Sequence, residues 1–254
     1  MRFEIFQPSE ILRPYIKQFA ISEIEYESEY KVFPSLGIVI GFQYKGNLAI
    51  IQDNDISTLQ SAGITGIVDS YKVFKNSPGI GTFLVFFTEI GLAHFTNHPV
   101  NELFNLSIGL DYIFEKSLVY EVQERFVLAQ TDEQKIQVVE RFFLSQLMSI
   151  STDKLIVEAV RMIYQSHGSI RVKELNEKLH ISSSPFEKRF RKLVGTSPKK
   201  FASIVRFNVA LSSLENNKSL LEICYENNFF DQAHFIKDFK QFTGVTPDKL
   251  KKSI

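Results

Sequence analysis

The first ninety or so residues show the hydrophobic pattern of short β-strands. Apolar and β-branched residues fill short runs, and turn residues such as those at Gly46-Asn47 and at 76–79 separate these runs. The predicted strands are residues 32–34, 37–42, 48–51, 63–68, 71–74 and 82–87. Residues 8–19, before the first of them, predict an entry segment with a short helix. Strands of this length, with turn signals every 8–12 residues or so, favour a small antiparallel sandwich or barrel.

After Gly91 the period of the apolar positions changes to that of a helix. The predicted helices of this region are residues 92–98, 101–106, 111–126 and 132–148. In the last of them Ile136, Val139, Phe143 and Leu147 recur at three- or four-residue spacing. This stripe either packs internally or forms a dimer contact, and the pattern alone leaves both open.

A polar break at residues 149–153 separates this region from a purely helical one. We therefore predict an N-terminal domain over residues 1–150 and a C-terminal domain over residues 154–254. The C-terminal pattern predicts helices that begin near residues 154, 172, 184, 198, 219 and 231. The predicted fold class is α+β: a small β-barrel or sandwich with appended helices, followed by an all-α domain.

The charge is distributed unevenly between the two predicted domains. The 254 residues have no net charge, but residues 1–150 hold 11 Lys+Arg against 18 Asp+Glu, and residues 151–254 hold 18 against 11. A basic half beside an acidic one favours a polyanion-binding module. The single cysteine excludes an internal disulfide framework. No apolar run approaches the roughly 20 residues of a membrane span, and the charged N-terminus is unlike a signal peptide. We expect a cytoplasmic protein with no membrane partner.

The C-terminal half carries one pattern twice. The segments RFRKLVGTSP and DFKQFTGVTP, at residues 189–198 and 238–247, have the same Phe, Gly and Pro positions. Each forms the end of an amphipathic helix that follows a short helix and a tight turn, which predicts two helix-turn-helix units. A rigid helix of roughly 17 residues, about 26 Å long, joins them. Two such units can address successive major grooves, which lie about 34 Å apart, and a slightly shorter protein spacing would favour bent DNA.

Over about the last 100 residues the sequence resembles the AraC-type (AraC/XylS) transcription regulators. The matching residues are Ile181, Ser182, Phe190, Arg191, Lys192, Gly195, Thr196, Ser197, Pro198, Arg206, Ile223, Cys224, Tyr225, Asn228, Phe229, Asp231, Gln232, Ala233, His234, Phe235, Phe239, Lys240, Gly244, Val245, Thr246 and Pro247. The resemblance implies a bacterial-type DNA-binding transcription regulator without a cofactor. Double-stranded DNA is the implied partner, and RNA polymerase, a small-molecule effector and a second copy of the chain are further candidate partners. The resemblance does not identify the effector or the operator, and it leaves both activation and repression open.

The resemblance also implies which residues contact DNA. These are Ser184, Glu187, Lys188, Arg191, Arg206, Gln232, Ala233, His234 and Lys237. Lysine and arginine suit guanine, glutamine suits adenine, and alanine can contact a thymine methyl group. Two positions depart from the expected pattern. Asn228 stands where the family usually has a turn glycine. The segment from Ser184 to Glu187 also fits a capping box, so Glu187 either reads bases or caps its own helix.

Other chemistries have weaker support in the sequence. An enzyme in residues 1–150 with a DNA-targeting C-terminal domain is the alternative, but no acid–base or metal constellation is recognisable, and we assign no catalytic residue. His94 and His98 have helical spacing, but Pro99 ends the segment and no third ligand accompanies them, which favours solvated or hydrogen-bonded histidines over a metal site. Cys224 lies on an apolar helix face and is predicted to be a core residue rather than a reactive thiol.

Overall fold

The computed structural model of the protein describes residues 1–53, 55–215, 219–226 and 231–251. The chain divides into two compact units. The first consists of residues 1–32, 37–67 and 72–151, and the second of residues 33–36, 68–71 and 152–254. None of the helices in the described ranges has both the length and the apolar character that a membrane crossing requires.

The first unit contains two antiparallel sheets. Its strands are β1 (Arg2–Phe6), β2 (Ile16–Ile24), β3 (Ser28–Val32), β4 (Val39–Lys45), β5 (Leu48–Gln52), β6 (Asp55–Thr58), β7 (Ala62–Thr65), β8 (Lys72–Asn76), β9 (Ile80–Phe87) and β10 (Ser107–Gly109). The six-stranded sheet has the order β1-β2-β9-β4-β7-β10, and the four-stranded sheet has the order β3-β8-β5-β6. Neither sheet closes on itself, so the predicted β-rich fold is confirmed in an open form.

The strand predictions differ from the structure mainly near the N-terminus. Five predicted strands correspond to β4, β5, β7, β8 and β9. The short helix predicted within residues 8–19 is wrong: residues 10–15 form turns, and Ile16 begins β2. Phe19 and Ile21 of β2 are fully buried, and the strand pairs with β1 on one side and β9 on the other. Local propensity is overridden here by pairing with a distant strand.

Two α-helices cover one face of the six-stranded sheet. They are α1 (Lys116–Leu128) and α2 (Asp132–Gln146), and three short 3₁₀ turns precede them at Leu92–His94, Val100–Leu103 and Leu110–Tyr112. The ring of Phe126 in α1 lies 5.4 Å from Phe83, and the ring of Phe143 in α2 lies 5.4 Å from Phe87. Val139 is also fully buried. These residues of the predicted α2 stripe therefore pack internally.

The part of the second unit from residue 152 onward is helical. Its helices in the described residues are α3 (Lys154–Gln165), α4 (Val172–Lys178), α5 (Ser183–Val194), α6 (Pro198–Glu215), α7 (Leu220–Glu226), α8 (Gln232–Thr243) and α9 (Pro247–Lys251). The six predicted helices are all present. The additional helix α9 begins at Pro247, since a proline suits the first turn of a helix as well as the end of the preceding one. Helix α6 contacts α3, α5, α7, α8 and α9.

The two copies of the repeated pattern end in the same backbone conformation. Gly195 follows α5 with a φ of 97°, and Gly244 follows α8 with a φ of 77°. The amide of Gly195 donates to the carbonyl of Arg191, and the amide of Gly244 donates to that of Lys240, at 2.9 and 2.8 Å. Left-handed φ values favour glycine, which explains why both copies of the segment contain it.

Candidate nucleic-acid interface

Helix α6 contacts α5 and α8, the second helices of the two helix-turn-helix units and therefore the predicted recognition helices, through two phenylalanines. The ring of Phe201 lies 5.7 Å from that of Phe190 in α5. Six residues further along, the ring of Phe207 lies 5.5 Å from Phe239 and 4.7 Å from Phe242 in α8. Edge-to-face and tilted contacts at these distances stabilise aromatic pairs beyond their burial alone. The two recognition helices are thus fixed to one common helix.

Helix α5 is amphipathic, with a buried apolar face and a polar outer face. Phe186 and Phe190 are fully buried. Ser184, Lys188 and Arg191 are exposed and follow one another at four- and three-residue spacing, which places them on one stripe. The structure therefore brings three of the expected DNA-contacting residues together on the solvent side of α5.

Glu187 does not cap α5. The helix begins at Ser183 with Ser182 at its N-cap position, so Ser184 already lies inside the first turn. The carboxylate of Glu187 instead accepts hydrogen bonds from Nε and Nη2 of Arg191, at 3.0 and 2.7 Å. The capping-box alternative for Glu187 is therefore wrong, because the helix starts two residues too early for it.

A side-chain hydrogen bond crosses the turn of the first helix-turn-helix unit. Nδ2 of Asn176, in α4, donates to the hydroxyl of Ser183 at 2.6 Å. His180, between the two helices, has a φ of 50°. This left-handed residue turns the chain sharply, and the hydrogen bond fixes the start of α5 against α4.

Helix α8 repeats the arrangement of α5. Phe235, Phe239 and Phe242 are buried, while Gln232, Ala233 and Lys237 are exposed. The expected contact His234 belongs to α8, but its side chain lies outside the described structure, as does the whole of Asn228. Before α8, a capping box forms the start of α7. The Glu222 carboxylate accepts from the Ser219 amide at 2.8 Å, and the Ser219 hydroxyl accepts from the Glu222 amide at 3.3 Å.

Alignment of the two copies adds one residue to the expected DNA contacts. Phe190 corresponds to Phe239, so Arg191 corresponds to Lys240, which is also exposed and cationic. The signal for Lys240 was present in the repeated segments themselves, where RFRK matches DFKQ. Lys240 therefore joins Lys237 as a candidate contact on α8.

Arg206 has a different environment from the other expected contacts. Its side chain is 20% exposed, and its guanidinium lies 3.7 Å from the carboxylate of Asp238 in α8. Burial lowers the pKa of Arg206, and the charge of Asp238 opposes this shift. The structure places the side chain of Arg206, a residue of α6, beside α8 rather than on an exposed stripe, which favours a role within the domain over contact with DNA.

The remaining candidate residues lie in apolar surroundings. Cys224 is 8% exposed, and burial together with the charge of Asp231 raises the pKa of its thiol, so the core prediction is confirmed. His94 is buried, with Nδ1 3.3 Å from the carbonyl oxygen of Ile90, so it is a hydrogen-bonded histidine. Within the described ranges, no three His, Cys, Asp or Glu residues are arranged to hold a metal ion.

Comparison with protein families matches both parts of the chain. Residues 175–253 match a family described as a helix-turn-helix domain, and residues 4–109 match a domain of unknown function. The Msm operon regulatory protein of Streptococcus mutans is 31% identical over 145 residues, which are 56% of this chain and 52% of that protein. An uncharacterized HTH-type transcriptional regulator of Staphylococcus aureus is 24% identical over 234 residues, 85% of this chain and 31% of that protein.

The chain thus spans about half the length of the streptococcal relative and about a third of the staphylococcal one. Among solved structures, ToxT from Vibrio cholerae superposes with a TM-score of 0.51 at 12% identity, covering 93% of this chain and 98% of that one. This likeness shows the fold: a β-rich N-terminal part followed by a helical C-terminal part. Residues 175–253 thus match the AraC-type helix-turn-helix domain, and the regulators named above are proteins to which this chain is similar.

Proposed function

We propose that the protein is a sequence-specific DNA-binding transcription regulator that reads its site with α5 and α8. The observation that carries this proposal is the presence of two equivalent exposed stripes on helices fixed to α6. Lys188 of the first stripe corresponds to Lys237 of the second, and Arg191 corresponds to Lys240. Basic side chains on the outer face of a recognition helix suit both phosphates and guanine edges.

The length of α6 supports a bipartite site on one DNA face. Its 18 residues correspond to about 27 Å at 1.5 Å per residue. Successive major grooves lie about 34 Å apart, so one monomer can occupy two of them when the DNA bends slightly towards the protein. Gln232 and Ala233, at the start of α8, suit an adenine edge and a thymine methyl group.

A small-molecule effector is proposed for the N-terminal unit. One face of the six-stranded sheet is covered by α1 and α2, but Leu84 and Phe86 point to the other face and are only partly buried. A Cβ added to Gly41 on this face would lie 3.6 Å from both Leu84 and Thr82, which confirms that these residues share it. A partly exposed apolar sheet face supports binding of an apolar ligand there.

The same assignment supports a regulator rather than an enzyme, and a cytoplasmic location where the chromosome is accessible. RNA polymerase and a second copy of the chain are proposed as further partners on the strength of the family alone. The same proposal assigns sensing or dimerisation to residues 1–150 and DNA binding to residues 154–254.

Binding measurements on a selected duplex test the proposed function. The full chain is first used to select a site from a pool of randomised duplexes, and affinity is then measured over a range of salt concentrations. We expect affinity to fall steeply with salt, since bound phosphates release counterions. Lys237→Ala should weaken specific binding by about 1–3 kcal/mol.

Lys116→Ala is the matched control, because Lys116 is also exposed but lies in α1 of the other unit. It should leave affinity for the selected duplex unchanged. Selection of no sequence at all, or equal binding by the Lys237→Ala variant and the wild type, would overturn the assignment of α8 as a recognition helix.

A further inference from the structure

Two residues of opposite charge occupy equivalent positions in the duplicated pattern. Arg189 directly precedes Phe190 in α5, and Asp238 directly precedes Phe239 in α8. Both Phe residues are buried against α6, so the two preceding positions have the same relation to the helix core. Neither residue belongs to the exposed stripes proposed to contact DNA, and each is engaged by a different partner helix.

Arg189 is held by Asp153 at the start of α3. Its Nε and Nη2 donate to Oδ2 and Oδ1 of Asp153, at 2.9 and 2.7 Å. Asp153 is also the N-cap of α3, where its Oδ1 accepts from the amide of Ile156 at 3.2 Å. A two-point contact between a guanidinium and a carboxylate that is 19% exposed restrains both orientation and distance. This contact fixes α5 against the N-terminus of α3.

Asp238 is held by Arg206 of α6. Their side chains are 24% and 20% exposed, and the charged groups lie 3.7 Å apart. The order of charges along the two pairs is reversed: the recognition helix contributes the cation in the first copy and the anion in the second. Because like charges repel, Arg189 cannot pair with Arg206, nor Asp153 with Asp238, so neither helix can engage the partner of the other.

We infer that Arg189 and Asp238 are positioning residues, which set the orientation of α5 and α8 for base reading through Asp153 and Arg206. This inference rests on the proposed DNA binding. A side chain that reads bases must be held to within about 0.5 Å by its supporting contacts, and a charged contact outside the Phe core adds a further restraint on how each helix is rotated about its axis. Each pair therefore governs discrimination in one half of the site.

The electrostatics of the pairs give the inference a sharp test. If Arg189 or Arg206 contacted phosphate, loss of the acidic partner would remove a nearby negative charge and strengthen binding to a polyanion. If the pairs position the helices, removal of either member of a pair should reduce base discrimination to the same extent. D153N and R189Q should therefore behave alike, and so should D238N and R206Q. Asparagine is itself a good N-cap, so D153N removes the charge while the start of α3 is retained.

The experiment uses the full chain and the duplex that the wild type selects from a randomised pool. Affinity is measured for every single-base substitution of that duplex. We expect D153N and R189Q to reduce base discrimination by about two- to fivefold in one half-site only, and D238N and R206Q to do so in the other. D238E retains the charge and should retain most of the discrimination, and the swapped double variant R206D/D238R should restore what D238N loses.

Several results would overturn the inference. Tighter binding by D153N or D238N than by wild type would show that the acidic residues only repel DNA. An equal loss of base discrimination in both half-sites, with the helical signal in circular dichroism intact, would show that each pair does not act on one half-site alone. Failure of the wild type to select any sequence would refute the proposed function itself. This result can be told apart from the two outcomes above, which concern only the charged pairs.

Discussion

Arg191 donates from both Nε and Nη2 to a single carboxylate oxygen of Glu187, one helical turn before it on α5. Both side chains are about half exposed. The guanidinium is thus held along its own helix, beside the exposed charge of Lys188 on the same outer face. In the second copy the position of Glu187 is occupied by Ile236, so α8 lacks this arrangement. The two recognition helices differ here in their chemistry although their cores are alike.

Substitution of Glu187 by glutamine should release Arg191 and strengthen binding to DNA of unrelated sequence. The variant removes a negative charge from the outer face of α5 and frees a cation to reach phosphate. We expect nonspecific affinity to rise about two- to fivefold and the dependence of affinity on salt to become steeper by about one phosphate contact. Fluorescence anisotropy with a labelled duplex at several salt concentrations measures both quantities.

Lys192→Gln provides a control with a charge change of the opposite sign, and nonspecific affinity should fall in it. Weaker binding of E187Q to unrelated DNA would contradict the release of Arg191. If E187Q loses affinity only for the selected duplex at one base pair, Glu187 itself reads that base, as the family resemblance implies.

Truncation of Phe201 to alanine should destabilise the C-terminal unit strongly. The side chain is fully buried and packs on Phe190 of α5 and Tyr164 of α3. Loss of a buried aromatic ring leaves a cavity and typically costs about 3–5 kcal/mol. Urea unfolding followed by circular dichroism measures the loss, with Lys199→Ala on the exposed side of the same helix as the control. A change of less than about 1 kcal/mol in F201A would contradict the packing described for α6.

Much of the C-terminal unit could be predicted from the sequence because its two copies supply independent evidence for one pattern. The buried Phe positions and the terminal glycines recur, and the structure confirms them. The structure of β1 and β6 could not be predicted, since both are edge strands whose residues are largely exposed and show little alternation. The environment of Arg206 could not be predicted for another reason: its ion pair with Asp238 joins two different helices, and no local pattern reveals such a contact.

The thiol of Cys224 should react slowly in the folded protein. The side chain is 8% exposed, and burial together with the nearby charge of Asp231 raises its pKa, so little thiolate is present near pH 8. We expect reaction with a disulfide reagent to be at least about tenfold slower than after unfolding in urea. The double variant C224S/Y225C moves the thiol to a position that is 87% exposed and should react rapidly without denaturant. Equal rates in the folded and unfolded wild type would contradict a buried thiol.

A network of charged and polar side chains connects β1, β2, β4 and α2 in the first unit. The Tyr44 hydroxyl donates to Glu23 at 2.8 Å, and Arg2 contacts both Glu23 and Asp132. The hydrogen bond from Tyr44 lowers the pKa of Glu23, although partial burial opposes it. Burial raises the pKa of Asp132, but hydrogen bonds from Arg2 and Lys135 outweigh it, and the net shift is downward.

These lowered pKa values predict that the first unit loses stability in acid. A carboxylate whose pKa is lower in the folded state contributes stability above its unfolded pKa, about 4.3 for Glu, and this contribution disappears as the pH falls through the folded value. Tyr44→Phe removes the main cause of the Glu23 shift. We expect it to cost about 1–2 kcal/mol near pH 7, and less near pH 3, where Glu23 becomes protonated in both proteins.

Unfolding of the wild type and of Y44F in urea between pH 3 and 7 measures this difference. Tyr120→Phe is the matched control, because the same hydroxyl is removed from a side chain that is 63% exposed on α1, and its stability should follow that of the wild type at every pH. The decisive quantity is how the difference in unfolding free energy between Y44F and the wild type changes with pH. A loss of packing alone would give a difference that does not depend on pH. A difference that stays constant, or becomes larger in acid, would show that Tyr44 does not stabilise the ionised form of Glu23.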